Sequence, residues 1–160
     1  MLKAGIRFPN MVRRREYPDY AIVGVGAVVL DNGKILLVKR GAQPGKGCWA
    51  IPGGVVEAGE KLKEAVIREL YEETGLTGKA TGVVYVDEVI VKDSQGIRFH
   101  YVLINILVEN VKGRVRAGSD VVEAKWFKLE EAPKAEKLAI QARRLIKILL
   151  EKPVKVIPLS

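Results

Sequence analysis

The chain has 160 residues, and its 27 lysines and arginines exceed its 19 aspartates and glutamates by a formal net charge of +8. With 48% hydrophobic and 29% charged residues, the composition excludes a disordered chain and a collagen-like one. The single cysteine, Cys48, excludes an internal disulfide framework and a cysteine-rich zinc site. We expect one domain, residues 1–160, located in the cytoplasm, because neither a targeting segment nor a membrane-spanning apolar run is visible. The few Gln, Asn and Cys residues favour a heat-adapted protein.

Apolar runs bounded by turn residues predict a series of β-strands. They cover residues 20–30, 34–40, 48–51, 83–91, 97–108 and 121–127. Between the first two runs, the pair Asn32-Gly33 predicts a hairpin turn, because both residue types tolerate positive φ. Residues 1–19 lack clear periodicity and are expected to form an N-terminal arm.

Two helices are predicted from the spacing of apolar and capping residues. The first covers residues 60–74, with Gly75 as its C-terminal cap, and the second covers residues 135–151. The tail, residues 153–160, is predicted to be irregular. Because strands and helices mix without strict alternation, we expect an α/β (α+β) fold in which helices cover a mixed β-sheet.

Acidic residues are concentrated in residues 54–76, which hold six acids and three bases, a net charge of −3, within an otherwise basic chain. On the first predicted helix, Glu69 and Glu73 extend the apolar stripe, and Glu72 lies beside Glu69. A carboxylate that faces the core is destabilising unless a partner compensates it. Either an arginine or lysine, as in a structural ion network, or a divalent cation such as Mg²⁺ fits this spacing. Spacing alone favours the cation without deciding between them.

The same segment has nine fixed positions of a known family signature. It reads Gly54, five residues, Glu60, seven residues, Arg68-Glu69-Leu70, one residue, Glu72-Glu73, one residue, Gly75-Leu76. This is the complete signature box of the Nudix hydrolases, and the chain resembles the small ADP-ribose pyrophosphatase-like and MutT-like members of that superfamily. The resemblance implies an α/β/α sandwich built around a mixed β-sheet.

The resemblance also implies a metal-dependent pyrophosphohydrolase that uses Mg²⁺ or Mn²⁺. By the family pattern, Glu69, Glu72 and Glu73 are the catalytic acids. The expected metal ligands are these three acids, the carbonyl of Gly54 and, for a second metal in some members, Glu57. Arg68 is expected to orient the acids through salt bridges, often with Glu60.

Four residues outside the box are further candidates. The family often places an additional catalytic or metal-binding acid in the loop before the last predicted strand, residues 121–127. Asp120 and Glu123 both qualify, and the sequence does not choose between them. Lys39 and Arg40 end a strand that leads toward the box, so they could bind a phosphate of the substrate. An exposed strand end explains these two cations equally well.

The box indicates the chemistry and not the group attached to the diphosphate. The leading hypothesis is that the substrate is a nucleoside diphosphate derivative, ADP-ribose, which is cleaved to AMP and ribose 5-phosphate. The alternative is a nucleoside triphosphate pyrophosphohydrolase that cleaves oxidised or ordinary triphosphates, since residues 78–112 lack the proline that often follows the box in ADP-ribose enzymes. A nucleotide sensor without catalysis is a third reading, and the intact box argues against it.

Partners other than the substrate are also predicted. RNA or DNA binding is disfavoured, because it rests only on the net charge and on the run Arg13-Arg14-Arg15. No membrane partner is expected. A homodimer is expected, with the N-terminal arm packed on the partner subunit.

Overall fold

The structure, a computed structural model, describes residues 14–151 and 153–160. Residues 1–13 of the predicted arm, and with them Arg13 of the basic run, lie outside the described residues. The elements in chain order are β1 (Ile22–Val28), β2 (Leu30–Asp31), β3 (Lys34–Arg40), β4 (Trp49–Ala50), β5 (Gly53–Val55), α1 (Leu62–Thr74), β6 (Thr77–Asp93), β7 (Gly96–Lys112), β8 (Val121–Lys128), a 3-10 helix (Ala132–Lys134), α2 (Ile140–Glu151) and β9 (Ile157–Pro158). Neither α-helix combines the length and apolarity needed to cross a bilayer, as far as the described residues extend.

The strands form two sheets. The first is a mixed five-stranded sheet in the order β5-β1-β7-β6-β9, in which β1 and β7 are parallel and the other neighbours are antiparallel. In the second sheet, β3 pairs antiparallel with β2, β4 and β8. The predicted hairpin is confirmed between β2 and β3, where Asn32 has φ 46° and Gly33 has φ 74°.

The two helices cover opposite faces of the sheets. Side chains alternate across a strand, so Leu36 of β3 lies in the core under α1, whereas Ile35 and Leu37 lie in the core under α2. α1 contributes Ala65, Val66 and Leu70 to its core, and α2 contributes Ala142, Leu145, Ile146 and Leu149 to the other. The predicted fold class, a mixed α+β sandwich around a mixed sheet, is confirmed.

Both helices begin later than predicted. α1 begins at Leu62 and not at residue 60, because the backbone of Lys61, the N-terminal cap, is extended, with φ −76° and ψ 148°. The Glu60 carboxylate, in the preceding loop, accepts a hydrogen bond from the backbone N–H of Glu57 at 3.0 Å.

The larger error is at α2, which begins at Ile140 and not at residue 135. The N–H of Trp49 donates to the carbonyl of Lys137 at 2.9 Å, and the N–H of Ala139 donates to the carbonyl of Trp49 at 2.8 Å. Lys137 has φ 57°, which is incompatible with a helix. Pairing with β4 therefore replaces the first turns of the predicted helix.

The tail is not irregular throughout, as was predicted, because β9 pairs with residues Gly82 and Val83 of β6. A methyl group on Gly82 would collide with the carbonyl oxygen of Ile157. The glycine therefore allows the tail to approach β6 closely enough for hydrogen bonding.

Candidate active site

The signature segment forms β5, a loop and α1, and local contacts fix both ends of the helix. At its start, the N–H of Lys61 donates to the Glu64 carboxylate at 3.2 Å. At its end, Gly75 adopts φ 74° and its N–H donates to the carbonyl of Tyr71 at 2.9 Å. The helix predicted with Gly75 as its cap is therefore observed.

Arg68 connects the loop before α1 to two of the acids. Its Nε and Nη2 donate to the two carboxylate oxygens of Glu60 at 2.7 and 2.9 Å, a bidentate pair. Its Nη1 donates to Oε1 of Glu69 at 2.6 Å and to Oε2 of Glu72 at 3.4 Å. Nη2 also donates to the carbonyl of Val55 at 3.1 Å, which links the arginine to β5. Arg68 thus restricts the orientation of these acids.

Glu69 lies against the backbone of Gly54. A methyl group at Gly54 would collide with the Glu69 carboxylate, so no residue with a side chain fits there without displacing the acid. Burial raises the pKa of Glu69, the hydrogen bond from Arg68 lowers it, and the charges of Glu72 and Asp120 raise it further. The site therefore holds an acid that is destabilised in its charged form.

Glu73 is the most buried of the three acids, with 7% of its surface exposed. Its Oε2 accepts a hydrogen bond from the N–H of Gly53 at 2.9 Å. Burial raises its pKa to about 8, the Gly53 hydrogen bond lowers it, and the charges of Glu69 and Asp120 raise it. The charge of Arg40 lowers it as well. Glu73 thus faces the same point as Glu69 with little compensating positive charge.

Two other acids that were predicted as metal ligands are more exposed. The Glu72 side chain is 47% exposed and contacts Arg68. Glu57 lies at the surface of the loop and contacts Glu60 through its backbone N–H. The structure therefore brings Glu69, Glu72 and Glu73 to one side of α1 and leaves the Glu57 carboxylate at the margin.

Of the two acids that the sequence left open, Asp120 lies nearer the box. Its charge acts on both Glu69 and Glu73, and its carbonyl accepts a hydrogen bond from the N–H of Gly41 at 2.8 Å. Glu123 contacts Lys125 at 3.8 Å, and the Lys125 ammonium lies 4.8 Å from the Trp49 ring, in the core on the α2 side. Glu123 therefore belongs to the opposite face of the sheet from α1.

The two cations at the end of β3 are separated in the same way. The Arg40 charge acts on Glu73 and on Tyr101, whereas the Lys39 ammonium lies 6.0 Å from the Trp49 ring. The Arg40 Nε also donates to the carbonyl of Pro44 at 2.7 Å. Arg40 therefore borders the acids, and Lys39 lies on the other face.

Two groups near the acids were not predicted as site residues. The N–H of Gly53 is the hydrogen-bond donor to Glu73, and the only signal for it was the adjacent glycine pair 53–54. Tyr101 on β7 has a pKa that burial raises and that Arg15 and Arg40 lower. Nothing in a strand sequence shows which tyrosine will lie beside an arginine from another sheet.

The donor set suits a divalent cation, although the acids do not form a closed cage. Within residues 14–151 and 153–160, no group of three or more His, Cys, Asp or Glu side chains is arranged to hold an ion as it stands. Arg68 engages Glu69 and Glu72, and Gly53 engages Glu73. Carboxylate and carbonyl oxygens are the ligands that Mg²⁺ and Mn²⁺ accept, and the missing side chain at position 54 leaves its carbonyl approachable. The residues therefore fit such an ion.

Comparison with known proteins gives consistent matches. The family model of the NUDIX domain matches residues 21–149. The ADP-ribose pyrophosphatase of Methanocaldococcus jannaschii is 37% identical over 143 residues, which cover 86% of this chain and 81% of that protein. The MutT NUDIX hydrolase of Burkholderia pseudomallei has a similar structure, with a TM-score of 0.71 at 29% identity over 81% of this chain and 98% of that one.

One further solved structure contains a metal ion. It is a bifunctional NMN adenylyltransferase/ADP ribose pyrophosphatase from Francisella tularensis, complexed with AMP and Mn ion. Its TM-score is 0.65 at 30% identity, over 82% of this chain and 42% of that one. The chain belongs to the Nudix hydrolase family, as its signature box indicated, and is therefore a hydrolase.

Proposed function

We propose that this hydrolase cleaves ADP-ribose to AMP and ribose 5-phosphate with Mg²⁺ or Mn²⁺. The observation that carries the proposal is the burial of Glu69 and Glu73 beside Gly54, where a divalent cation would compensate both charges. The choice of ADP-ribose is supported by the archaeal relative, an ADP-ribose pyrophosphatase that is 37% identical over most of both chains.

In this proposal, α1 and β5 hold the metal. The ligands are Glu69, Glu72, Glu73 and the carbonyl of Gly54, with Glu57 available for a second ion. When bound, such an ion would neutralise charge on the diphosphate and favour attack by water.

Residues around the metal ligands orient the acids and the substrate. Arg68 keeps Glu69 and Glu72 in place through the contacts described above. We assign proton removal from the attacking water to Asp120 and not to Glu123, because its charge acts on Glu69 and Glu73. The water oxygen bonds to one phosphorus, and the bond from that phosphorus to the bridging oxygen breaks. Arg40 binds a phosphate oxygen, a role for which Lys39 is on the wrong face.

A second candidate is hydrolysis of nucleoside triphosphates to a monophosphate and pyrophosphate. It is supported by the structural similarity to the MutT hydrolase of Burkholderia pseudomallei, which spans nearly all of that protein. The box acids would serve both reactions, because each breaks a phosphoanhydride bond.

The products distinguish these functions. Purified protein is incubated with ADP-ribose and with a panel of nucleoside triphosphates, in Mg²⁺ and separately in Mn²⁺, and the products are separated by chromatography. We expect AMP and ribose 5-phosphate, with turnover abolished by a chelator. Pyrophosphate from triphosphates, with ADP-ribose left intact, would favour the second candidate. Binding without turnover would contradict both.

Cytoplasmic location and the homodimer stay predictions from the sequence. Sedimentation equilibrium at micromolar concentration tests the homodimer. A molecular mass near the 17.6 kDa of one chain would contradict it.

A further inference from the structure

A cavity lies at the C-terminal end of α1, away from the catalytic acids. Its volume is about 520 Å³, and it is lined by Tyr71, Gly75, Arg114, Val115 and Arg116. Tyr71 follows Glu69 by two residues, so the two side chains project about 200° apart around the helix. Tyr71 is 53% exposed. The cavity is therefore a surface feature on a different side of α1 from Glu69.

Two arginines in this cavity have no acidic partner. Among residues 14–151 and 153–160, neither the Arg114 nor the Arg116 guanidinium takes part in an ion pair or hydrogen bond. The Arg116 guanidinium lies 5.8 Å from the centre of the Tyr71 ring. Each guanidinium carries five N–H donors in a planar fork that suits carboxylate and phosphate oxygens. The cavity thus presents two sets of unused donors.

Capping of the helix does not explain these arginines. Three carbonyl groups at the end of α1 accept hydrogen bonds from backbone N–H groups: Gly75 donates to Tyr71 at 2.9 Å, Arg116 donates to Thr74 at 2.9 Å, and Gly118 donates to Glu73 at 3.0 Å. The Arg116 backbone therefore does the capping, and its side chain remains available. Gly75 also leaves space for the Arg116 side chain, because a methyl group at position 75 would lie 2.9 Å from the Cγ of Arg116.

We infer that this cavity binds a phosphate monoester. The guanidinium groups of Arg114 and Arg116 donate to the phosphate oxygens, and the exposed Tyr71 ring packs against the organic group. The volume is within the range of pockets that hold small ligands. AMP and ribose 5-phosphate share the required chemistry, and the test below separates them. The inference does not depend on the reaction that the box acids catalyse.

The test is calorimetric titration of metal-free protein with AMP, ribose 5-phosphate and inorganic phosphate, so that no turnover occurs. We expect Arg114→Gln and Arg116→Gln each to weaken binding of the phosphate monoester about 10-fold or more, the loss typical of a charge-assisted hydrogen bond. Lys134→Gln combined with Lys155→Gln, which removes two exposed charges elsewhere, is expected to leave the affinity unchanged.

A further variant locates the ligand. Tyr71→Leu is expected to weaken the binding of AMP and to leave the binding of inorganic phosphate unchanged. If the affinity for ribose 5-phosphate falls equally, the ring contacts the sugar. The inference is overturned if the cavity variants leave binding of the phosphate monoester unchanged, if no monoester binds at millimolar concentration, or if RNA without a terminal phosphate binds as tightly as AMP.

Discussion

The two helices of the sandwich bury very different faces. The buried positions of α2 are Ala142, Leu145, Ile146 and Leu149, which are all apolar. The buried face of α1 includes Val66 and Leu70. Three residues after each of them, the same helix presents an acid to the sheet, Glu69 and Glu73. The buried side chains of α2 therefore all stabilise the fold, whereas the buried acids of α1 destabilise it.

The destabilisation by the α1 acids is only partly offset. Arg68 supplies one positive charge to Glu69 and Glu72, and the Gly53 N–H supplies one hydrogen bond to Glu73. A structural ion network would provide a partner for every buried carboxylate, because a buried charge without a partner destabilises the fold. The contrast with α2 therefore supports the proposal that the acids of α1 bind a cation.

The apolar face of α2 is expected to give the largest effect on stability. Leu145 is fully buried, so Leu145→Ala should lower the free energy of unfolding by about 2–5 kcal/mol, through lost burial and the cavity that remains. Denaturant unfolding measures this loss. The kcat of the variant, measured where it is folded, should stay near that of the wild type. A loss of stability below about 1 kcal/mol would contradict the packing described here.

The acidic face of α1 should respond in the opposite way. Glu73→Gln should lower turnover by about 100-fold or more, the scale of a lost electrostatic or acid–base contribution. The metal-free variant should unfold at the same or a higher temperature, because a neutral amide replaces a buried acid whose pKa is about 8. Glu109→Gln, an exposed position on β7, serves as the control. An unchanged rate at saturating Mg²⁺ would show that Glu73 has no role in the reaction.

The raised pKa of Glu73 predicts how the stability of the metal-free protein depends on pH. Between about pH 4.5 and pH 8, the folded state keeps a proton on Glu73 that the unfolded state releases, so stability falls as pH rises. One such proton contributes a slope of up to about 1.4 kcal/mol per pH unit. Unfolding of wild type and Glu73→Gln across this range measures the difference. Identical slopes in the two proteins would exclude a raised pKa at Glu73.

The ion pair between Asp87 on β6 and Arg144 on α2 provides the smallest test. The Asp87 side chain is 6% exposed, and its Oδ1 accepts hydrogen bonds from Arg144 Nη1 at 3.0 Å and from the Glu88 N–H at 2.8 Å. Arg144→Gln should lower the free energy of unfolding by about 1 kcal/mol, because the carboxylate stays buried with less compensation. Arg144→Lys, which keeps the charge, should lose less. Equal stability of wild type and Arg144→Gln would mean that the ion pair contributes nothing.

The sequence predicts α1 better than α2 because the information for α1 is local. The box residues, the Gly75 cap and the apolar stripe all lie within the helix or next to it. The start of α2 depends on hydrogen bonds between Trp49 and residues 137–139, which are distant in the chain. The pairing of β9 with Gly82 is non-local in the same sense, and no periodicity in the tail indicates it.

The same limit applies to the candidate site outside the box. The choice between Asp120 and Glu123, and between Arg40 and Lys39, depends on which face of the sheet each side chain takes. Alternation along β3 places Arg40 on the face of Leu36 and Lys39 on the face of Ile35, but both faces of this strand are apolar, so the sequence does not show which face α1 covers. Only the paired strands place Arg40 and Asp120 with the acids of α1.

The most direct test is calorimetric titration of the protein with Mn²⁺ at pH 8. Wild type is compared with the combined variant Glu69→Gln, Glu72→Gln and Glu73→Gln, and with Glu109→Gln, which removes one exposed carboxylate on β7, as the control. We expect wild type and Glu109→Gln to bind Mn²⁺ with release of protons, since Glu73 is partly protonated at this pH, and the combined variant to bind none. Equal binding by the wild type and the combined variant would contradict the assignment of the α1 carboxylates as metal ligands.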